Sequence, residues 1–356
     1  MTNRENLIRA LRRQNPERIP FEFNVCPAIH EKLEKLLGTP NYDEQFGFVT
    51  RWIGLKPTRK QTDFTKYYKN LPDNTEPLNW AKEWGIMGVN SKNSHFQKML
   101  HPMLDFTSIE EIEAYPFPDF NEDYRWEGFE EELKELKEKD LVSVAELQMT
   151  IFETSWYLRG MENFMVDLMT DPDFACALMD KITDIRVGMA QRYAKAGVDI
   201  IQLGDDVATQ LDMMINPELW RELIKPRLAK VVKAIKDTNP EVIIFYHGDG
   251  NMQKIIPDII ELGIDVLNPI QPECMDPFEI KRLYGDKLSF WGTVGTQTTL
   301  PFGTPEEVKA TCKKLIEEVG KGGGLLLAPT HLIEPEVPIE NLMAFLEAVK
   351  EYGNYR

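Results

Sequence analysis

Apolar and polar residues alternate along this chain in two different periods. From Glu241 to about Asn341, short apolar runs are each followed by an amphipathic segment of helical spacing. The run from Val242 breaks into the polar turn His247-Gly-Asp249-Gly250, and Met252–Leu262 follows. The pattern repeats as Asp265–Gln271 then Asp276–Leu283, as Leu288–Gly292 then Pro305–Val319, and as Leu325–His331 then Pro338–Lys350. Such alternation predicts βα units on a parallel sheet. Further upstream, Leu141–Glu146 and Gly197–Asp206 read as strands, and helices are predicted from Asp171 to Ala196 and from Asn216, an N-cap followed by proline. Trp126–Lys139 is a charged helix with a solvated face. Thr2–Glu5 is a capping-box pattern ahead of a helix with Leu7, Ile8 and Leu11 on one face. Phe21–Val25 alternates as a strand should.

Seven strands therefore start at Phe21, Leu141, Val198, Val242, Asp265, Leu288 and Leu325, and an eighth is expected within Trp80–Val89. Eight strands with intervening helices predict a (β/α)8 TIM barrel. Periodicity weakens from Ile29 to Phe120, so residues 29–120 are expected to form an irregular insertion, with a hairpin, that covers the barrel. All 356 residues then make a single domain.

In a barrel, the strand ends converge on the C-terminal face. The rim carboxylates are Glu146, Asp205, Asp206, Asp249 and Glu273, with Glu334 just beyond. Any one of them could cap a helix. Together they suit a cation, a metal or proton transfer. His247 and His331, two of only five histidines, end strands too. With Asp249 they make a His/Asp/His set fit for zinc or another divalent metal, and Cys274 is a candidate extra ligand. Without a metal, the same histidines serve proton transfer. The catalytic candidates are thus Glu146, Asp205, His247, Asp249 and His331. Asp206, Tyr246, Asn268, Gln271 and Trp291 are candidates for binding substrate.

A formal net charge of −17 argues against a nucleic-acid or anionic-membrane surface. The N-terminal residues have no apolar signal core, and no run has the length of a membrane span. Four widely spaced cysteines, Cys26, Cys176, Cys274 and Cys312, fit a reduced cytoplasm better than a disulfide framework. No Walker loop, no GxGxxG after a strand, no GxSxG elbow and no HExxH occurs.

Gly197–Asp206, Asn216–Pro226, His247–Asn251, Gly292–Gln297, Gly303–Val308 and Leu327–Pro335 together resemble the uroporphyrinogen decarboxylase superfamily. The N-terminal Asn3–Leu7 and Arg18–Phe21 fit as well. The resemblance implies a (β/α)8 barrel and one of two chemistries. Decarboxylases of that superfamily carry Arg-Gln-Ala-Gly-Arg after the first strand, whereas Phe21–Ile29 here holds no arginine. A substrate with eight carboxylates needs cationic partners. The branch similar to methylcobalamin:coenzyme M enzymes has His-x-Cys on its sixth strand and a later cysteine, which bind zinc and activate a thiol. His247, Asp249 and His331 stand at those positions, so both sulfur ligands are replaced. The resemblance implies methyl transfer between a small-molecule donor or acceptor and a corrinoid (cobalamin) protein, and a homodimer. A decarboxylase or lyase acting on a small carboxylate or a porphyrinogen-like substrate is the alternative. A non-catalytic barrel that binds a tetrapyrrole or another small ligand is a second.

Overall fold

In a computed structural model, which describes residues 1–90 and 97–355, ten strands form two sheets. In chain order they are β1 (Thr50–Ile53), β2 (Thr75–Pro77), β3 (Met87–Asn90), β4 (Gln97–Leu100), β5 (Val142–Gln148), β6 (Ile200–Gly204), β7 (Ile243–His247), β8 (Val266–Asn268), β9 (Ser289–Trp291) and β10 (Leu325–Leu326). Seven pair in parallel in the order β1-β5-β6-β7-β8-β9-β10, curling into a barrel. The N-terminal strand segment closes it. Phe21 bridges to Leu327 and Val25 to Ile333, both in parallel. On the other side, closure towards β1 is made by side chains. The Thr50 hydroxyl donates to the buried Glu22 carboxylate, and Phe48 sits edge-on to Phe21.

Expected and observed elements agree closely from Leu141 onward. The helix expected over Asp171–Ala196 runs Pro172–Ala196, with the Asp171 side chain accepting from the Phe174 N–H. Asn216 caps the next helix through Glu218 N–H. The eighth strand is a correction. It is β1 at Thr50–Ile53, not a segment of Trp80–Val89. There, β3 pairs antiparallel with β2 and β4 in a separate three-stranded sheet. A four-residue strand carries too few alternations to announce itself. The 29–120 segment thus contains one barrel strand as well as the expected hairpin, and its residues 91–96 lie outside the described ones.

Strand parity decides what faces the lumen. Near the strand starts the inward residues are apolar: Val142 and Val144, Ile200, Ile243, Phe245 and Val266 form one buried cluster. Leu7 and Leu11 of the N-terminal helix plug its lower end. Burying each leucine stabilises the fold by about 2 kcal/mol. Two residues further up each strand, the same inward face turns polar: Glu146 and Gln148, Gln202, His247 and Asn268. The outward face, with Ala145, Leu147, Ile201, Leu203, Ile244 and Tyr246, packs under the helices. A plugged floor and a polar upper layer make the lumen a blind funnel. Among the described residues, no helix is long and apolar enough to cross a membrane, and all four cysteines are free thiols.

Candidate active site

The funnel encloses about 440 Å³. Glu22, Asn24, Trp52, Glu146, Gln148, Gln202, Phe245, His247, Asn268, Trp291 and His331 are among its walls, and no lysine or arginine among the described residues lines it. Registry explains the layering. Glu146, Gln202 and Phe245 pair across β5, β6 and β7, and Gln148, Gly204, His247 and Asn268 form the next layer outward. A Cβ on Gly204 would lie 2.4 Å from the His247 carbonyl oxygen, so only glycine lets β6 pass this close.

At one edge of the funnel, ligand atoms of Asp206, His247 and Asp249 all lie within 4.8 Å of one another. His247 Nε2 is 3.8 Å from Asp206 Oδ1. The Asn268 amide donates to the Trp291 carbonyl at 2.6 Å, which leaves its Oδ1 facing His247 Nδ1, also at 2.6 Å. Nδ1 therefore carries a proton, and Nε2 is the ring nitrogen that faces the carboxylates. The Asp249 N–H donates to Asp206 Oδ1 at 2.7 Å, and the Asp206 N–H to Glu153 Oε2 at 3.0 Å. Asp249 Oδ1 is buried with no hydrogen-bond partner among the described residues. One imidazole nitrogen and two carboxylates, one of them with a buried oxygen left without a partner, fit a divalent cation. The turn that presents Asp249 depends on Gly250, at φ +90°, where a Cβ would meet Thr209 O at 2.5 Å.

Burial pushes several carboxyls towards their protonated form. Glu22 rises to about 7, against the pull of hydrogen bonds from Thr50 and the Trp291 indole. Glu146 is raised by burial of its carboxyl, although the residue as a whole is exposed to the funnel, and Arg186 and His247 temper the rise. Glu153 is pushed to about 8 by burial and by the charges of Asp206 and Asp205. Asp249 is raised chiefly by burial, with His247 and His331 opposing and Asp206 adding.

The other expected site residues fall in several places. His331 is exposed on the funnel wall, close enough to Asp249 to be felt electrostatically, but outside the three-residue group, where Asp206 stands instead. Cys274 Sγ lies 3.5 Å from Gln271 Oε1, and Gln271 in turn accepts from the Gly250 N–H at 2.6 Å, so these two brace the turn. Trp291 and Asn268 line the funnel. Tyr246 does not: it points outward and is fully buried in the core under the helices. Parity is the reason, since it neighbours the inward His247. Asp205, also outward, accepts from Ile151 N–H at 3.1 Å and Glu153 N–H at 2.9 Å, at the start of helix Phe152–Arg159. It caps that helix below the cavity. Asp205→Ala would strand those buried N–H groups and is expected to cost roughly 2–4 kcal/mol, measured by urea unfolding.

Sequence reasoning missed Glu22, Trp52, Gln148, Glu153 and Gln202. For Glu22 the signal exists: in Phe21–Val25 the apolar face turns to the helices, so Glu22 and Asn24 must face the lumen. Glu153 carries no such signal, because helix packing alone brings it to Asp206.

Residues 95–352 match the sequence profile for uroporphyrinogen decarboxylase (URO-D). The chain belongs to the URO-D family. A methylcobamide:CoM methyltransferase (MtaA) of Methanosarcina barkeri is 28% identical over 195 residues, 55% of this chain and 54% of that protein. A methylated-thiol–coenzyme M methyltransferase of Methanosarcina mazei is 27% identical over 200 residues, covering 56% and 51%. A uroporphyrinogen decarboxylase of Chlorobium phaeovibrioides is 28% identical over 188 residues, covering 52% and 51%. The chain spans about half the length of the curated relatives it matches. A solved methyltransferase structure from Methanosarcina mazei superposes with a TM-score of 0.69 at 21% identity, over 99% of both chains, and shares the fold. These relatives are enzymes, transferring methyl groups in one branch of the URO-D family and removing carboxyl groups in the other.

Proposed function

We propose that this protein is a methyltransferase that moves a methyl group between a small substrate and a corrinoid carried by a separate protein docking at the barrel mouth. The convergence of Asp206, His247 Nε2 and Asp249 beside a polar funnel carries this reading. Relatives named as methyltransferases support it. Those three residues would hold zinc or another divalent cation, and the nitrogen and oxygen donors leave the choice of metal wide. The cation would supply Lewis acidity to the substrate heteroatom. The chain's own groups do the positioning. Asn268 orients the His247 ring so that Nε2 faces the carboxylates, Glu153 restrains Asp206, and Glu146 presents to the funnel a carboxyl that burial pushes towards its protonated form. In transfer to the corrinoid, the carbon–heteroatom bond breaks and the heteroatom keeps its bonding pair, while the methyl, as a cation equivalent, takes an electron pair from the reduced cobalt of the corrinoid substrate to form a cobalt–carbon bond. The reverse direction breaks that bond, leaves its pair on cobalt and forms the carbon–heteroatom bond.

The test is methyl exchange with free cobalamin: cob(I)alamin with a panel of methyl donors, and methylcobalamin with a panel of thiols. Exchange should appear in the cobalamin spectrum and vanish in His247→Ala. Silence across both panels would end the reading.

A second reading is a decarboxylase or lyase on a small carboxylate. Glu22 and Glu146, both driven towards the protonated form by burial, favour it as proton donors to a carbanion. A porphyrinogen rich in carboxylates suits the funnel poorly, since no lysine or arginine among the described residues lines it.

A further inference from the structure

A second cavity of about 260 Å³ opens beside the funnel. Glu146 and Gln148 line both, so the two spaces meet at the end of β5. The chemistry changes at that junction, because Trp80, Trp84, Phe120 and Tyr157 wall the second space. Trp80 is 52% exposed and meets Tyr157 edge-on at 5.2 Å between ring centroids. Trp84 is buried, with Phe120 tilted against it at 6.0 Å.

Arg186 also lines this annex, and its surroundings are unusual. Among the described residues three arginines are buried. Arg125 pairs with Glu83 at 2.7 Å and Arg227 with Asp180 at 2.9 Å. Arg186 forms no ion pair among the described residues, and the longer-range charges of Asp205 and Glu146 favour its cationic form. Its Nε and Nη2 donate to the carbonyls of Thr150, Gln148 and Met149, and Nη2 also to the Thr154 hydroxyl. Its Nη1 reaches only the Met189 thioether, at 3.8 Å. The Trp84 ring lies 5.2 Å from the guanidinium carbon. A buried guanidinium without a carboxylate in contact is a receptor for one, and Nη1 is the nitrogen with hydrogens to spare.

We propose that the annex binds the body of the substrate, and that this body is a single aromatic ring bearing a carboxylate, which pairs with Arg186. Flat rings gain edge-to-face and stacked contacts from four aromatic walls. An apolar cavity on the order of 150 Å³ holds benzene, so the annex has room for a ring and its substituents but not for a tetrapyrrole. The reacting end of such a molecule would lie at Glu146 and Gln148, on the funnel side. The word substrate rests on the methyl-transfer reading; the binding itself does not.

Calorimetric titration of the full chain tests this with four probes: benzoate, cyclohexanecarboxylate, benzyl alcohol and tetramethylammonium. Benzoate should bind roughly ten-fold tighter than each of the others, the weight of a charge-assisted hydrogen bond together with ring contacts. Arg186→Lys should erase most of its advantage over benzyl alcohol. Trp80→Ala removes an exposed side chain that the fold does not depend on, and should weaken benzoate by a factor of at least about three. Benzyl alcohol binding as well as benzoate, tetramethylammonium binding best, or benzoate affinity indifferent to Trp80→Ala would each overturn the proposal. Titration needs no turnover, so the two readings fail separately. Benzoate bound normally without methyl exchange ends the transfer reading alone. Exchange without benzoate binding ends the annex alone.

Discussion

If the proposed divalent cation is held by Asp206, His247 and Asp249, Asp206→Asn is expected to lose it while His331→Ala keeps it. Asparagine preserves the size of the side chain and an oxygen for the Asp249 N–H, so the turn should hold while one anionic ligand is lost. Among the described residues three ligand atoms converge here, and His331 is not one of them. Losing an outer-shell partner of a metal ligand costs about 10–100-fold in affinity or activity; losing a ligand should cost more, and with it most of the methyl exchange. The measurement is metal content after dialysis, on wild type and both variants, with exchange rates alongside. The opposite pattern, with metal kept by Asp206→Asn and lost from His331→Ala, would restore the His247/Asp249/His331 set that the sequence suggests. It would also mean that the rim closes on a cation in a geometry different from the one described.

The difference between the expected set, which includes His331, and the observed group, which includes Asp206, lies in what a single sequence encodes. Strand ends are readable because period-two alternation breaks into polar, glycine-flanked turns, and from Leu141 to Tyr352 the strands and helices fall where that alternation puts them. Which strand-end residue faces the lumen depends on parity counted from a buried reference. That count separates Asp206 from Asp205 and His247 from Tyr246, each pair adjacent in the chain. The inward face could have been traced from Ile200 through Gln202 and Gly204 to Asp206. No comparable rule reaches the annex. Trp80, Trp84 and Phe120 belong to the weakly periodic cover, and only tertiary packing sets them against Arg186 on the helix Pro172–Ala196. β1 was hidden for a related reason: it is four residues long, and one of them, Trp52, turns an exposed indole into the funnel.

Glu22→Gln should leave stability near wild type at pH 5 and raise it at pH 8 by roughly 3 kcal/mol. Glu22 is fully enclosed between Thr50 and the Trp291 indole, and burial lifts it from 4.5 to about 7, with only the nearby Arg51 charge and two hydrogen bonds opposing. A raised carboxyl stabilises the fold below its unfolded value and loses that contribution as pH climbs to the folded one. Between 4.5 and about 7 the unfolded chain releases this proton while the folded chain keeps it, so unfolding becomes easier with rising pH. Above 7 the fold must carry a buried carboxylate. Glutamine mimics the protonated acid: its oxygen accepts from the indole, and its amide can donate to the Thr50 hydroxyl. Urea unfolding of both forms at the two pH values makes the measurement. Parallel behaviour of the two forms would show that Arg51 neutralises Glu22 more completely than the geometry implies. The result bears on chemistry as well as stability. A Glu22 that keeps its proton near neutral pH puts an uncharged hydrogen-bond donor in the funnel wall, and an anionic substrate then meets less repulsion there.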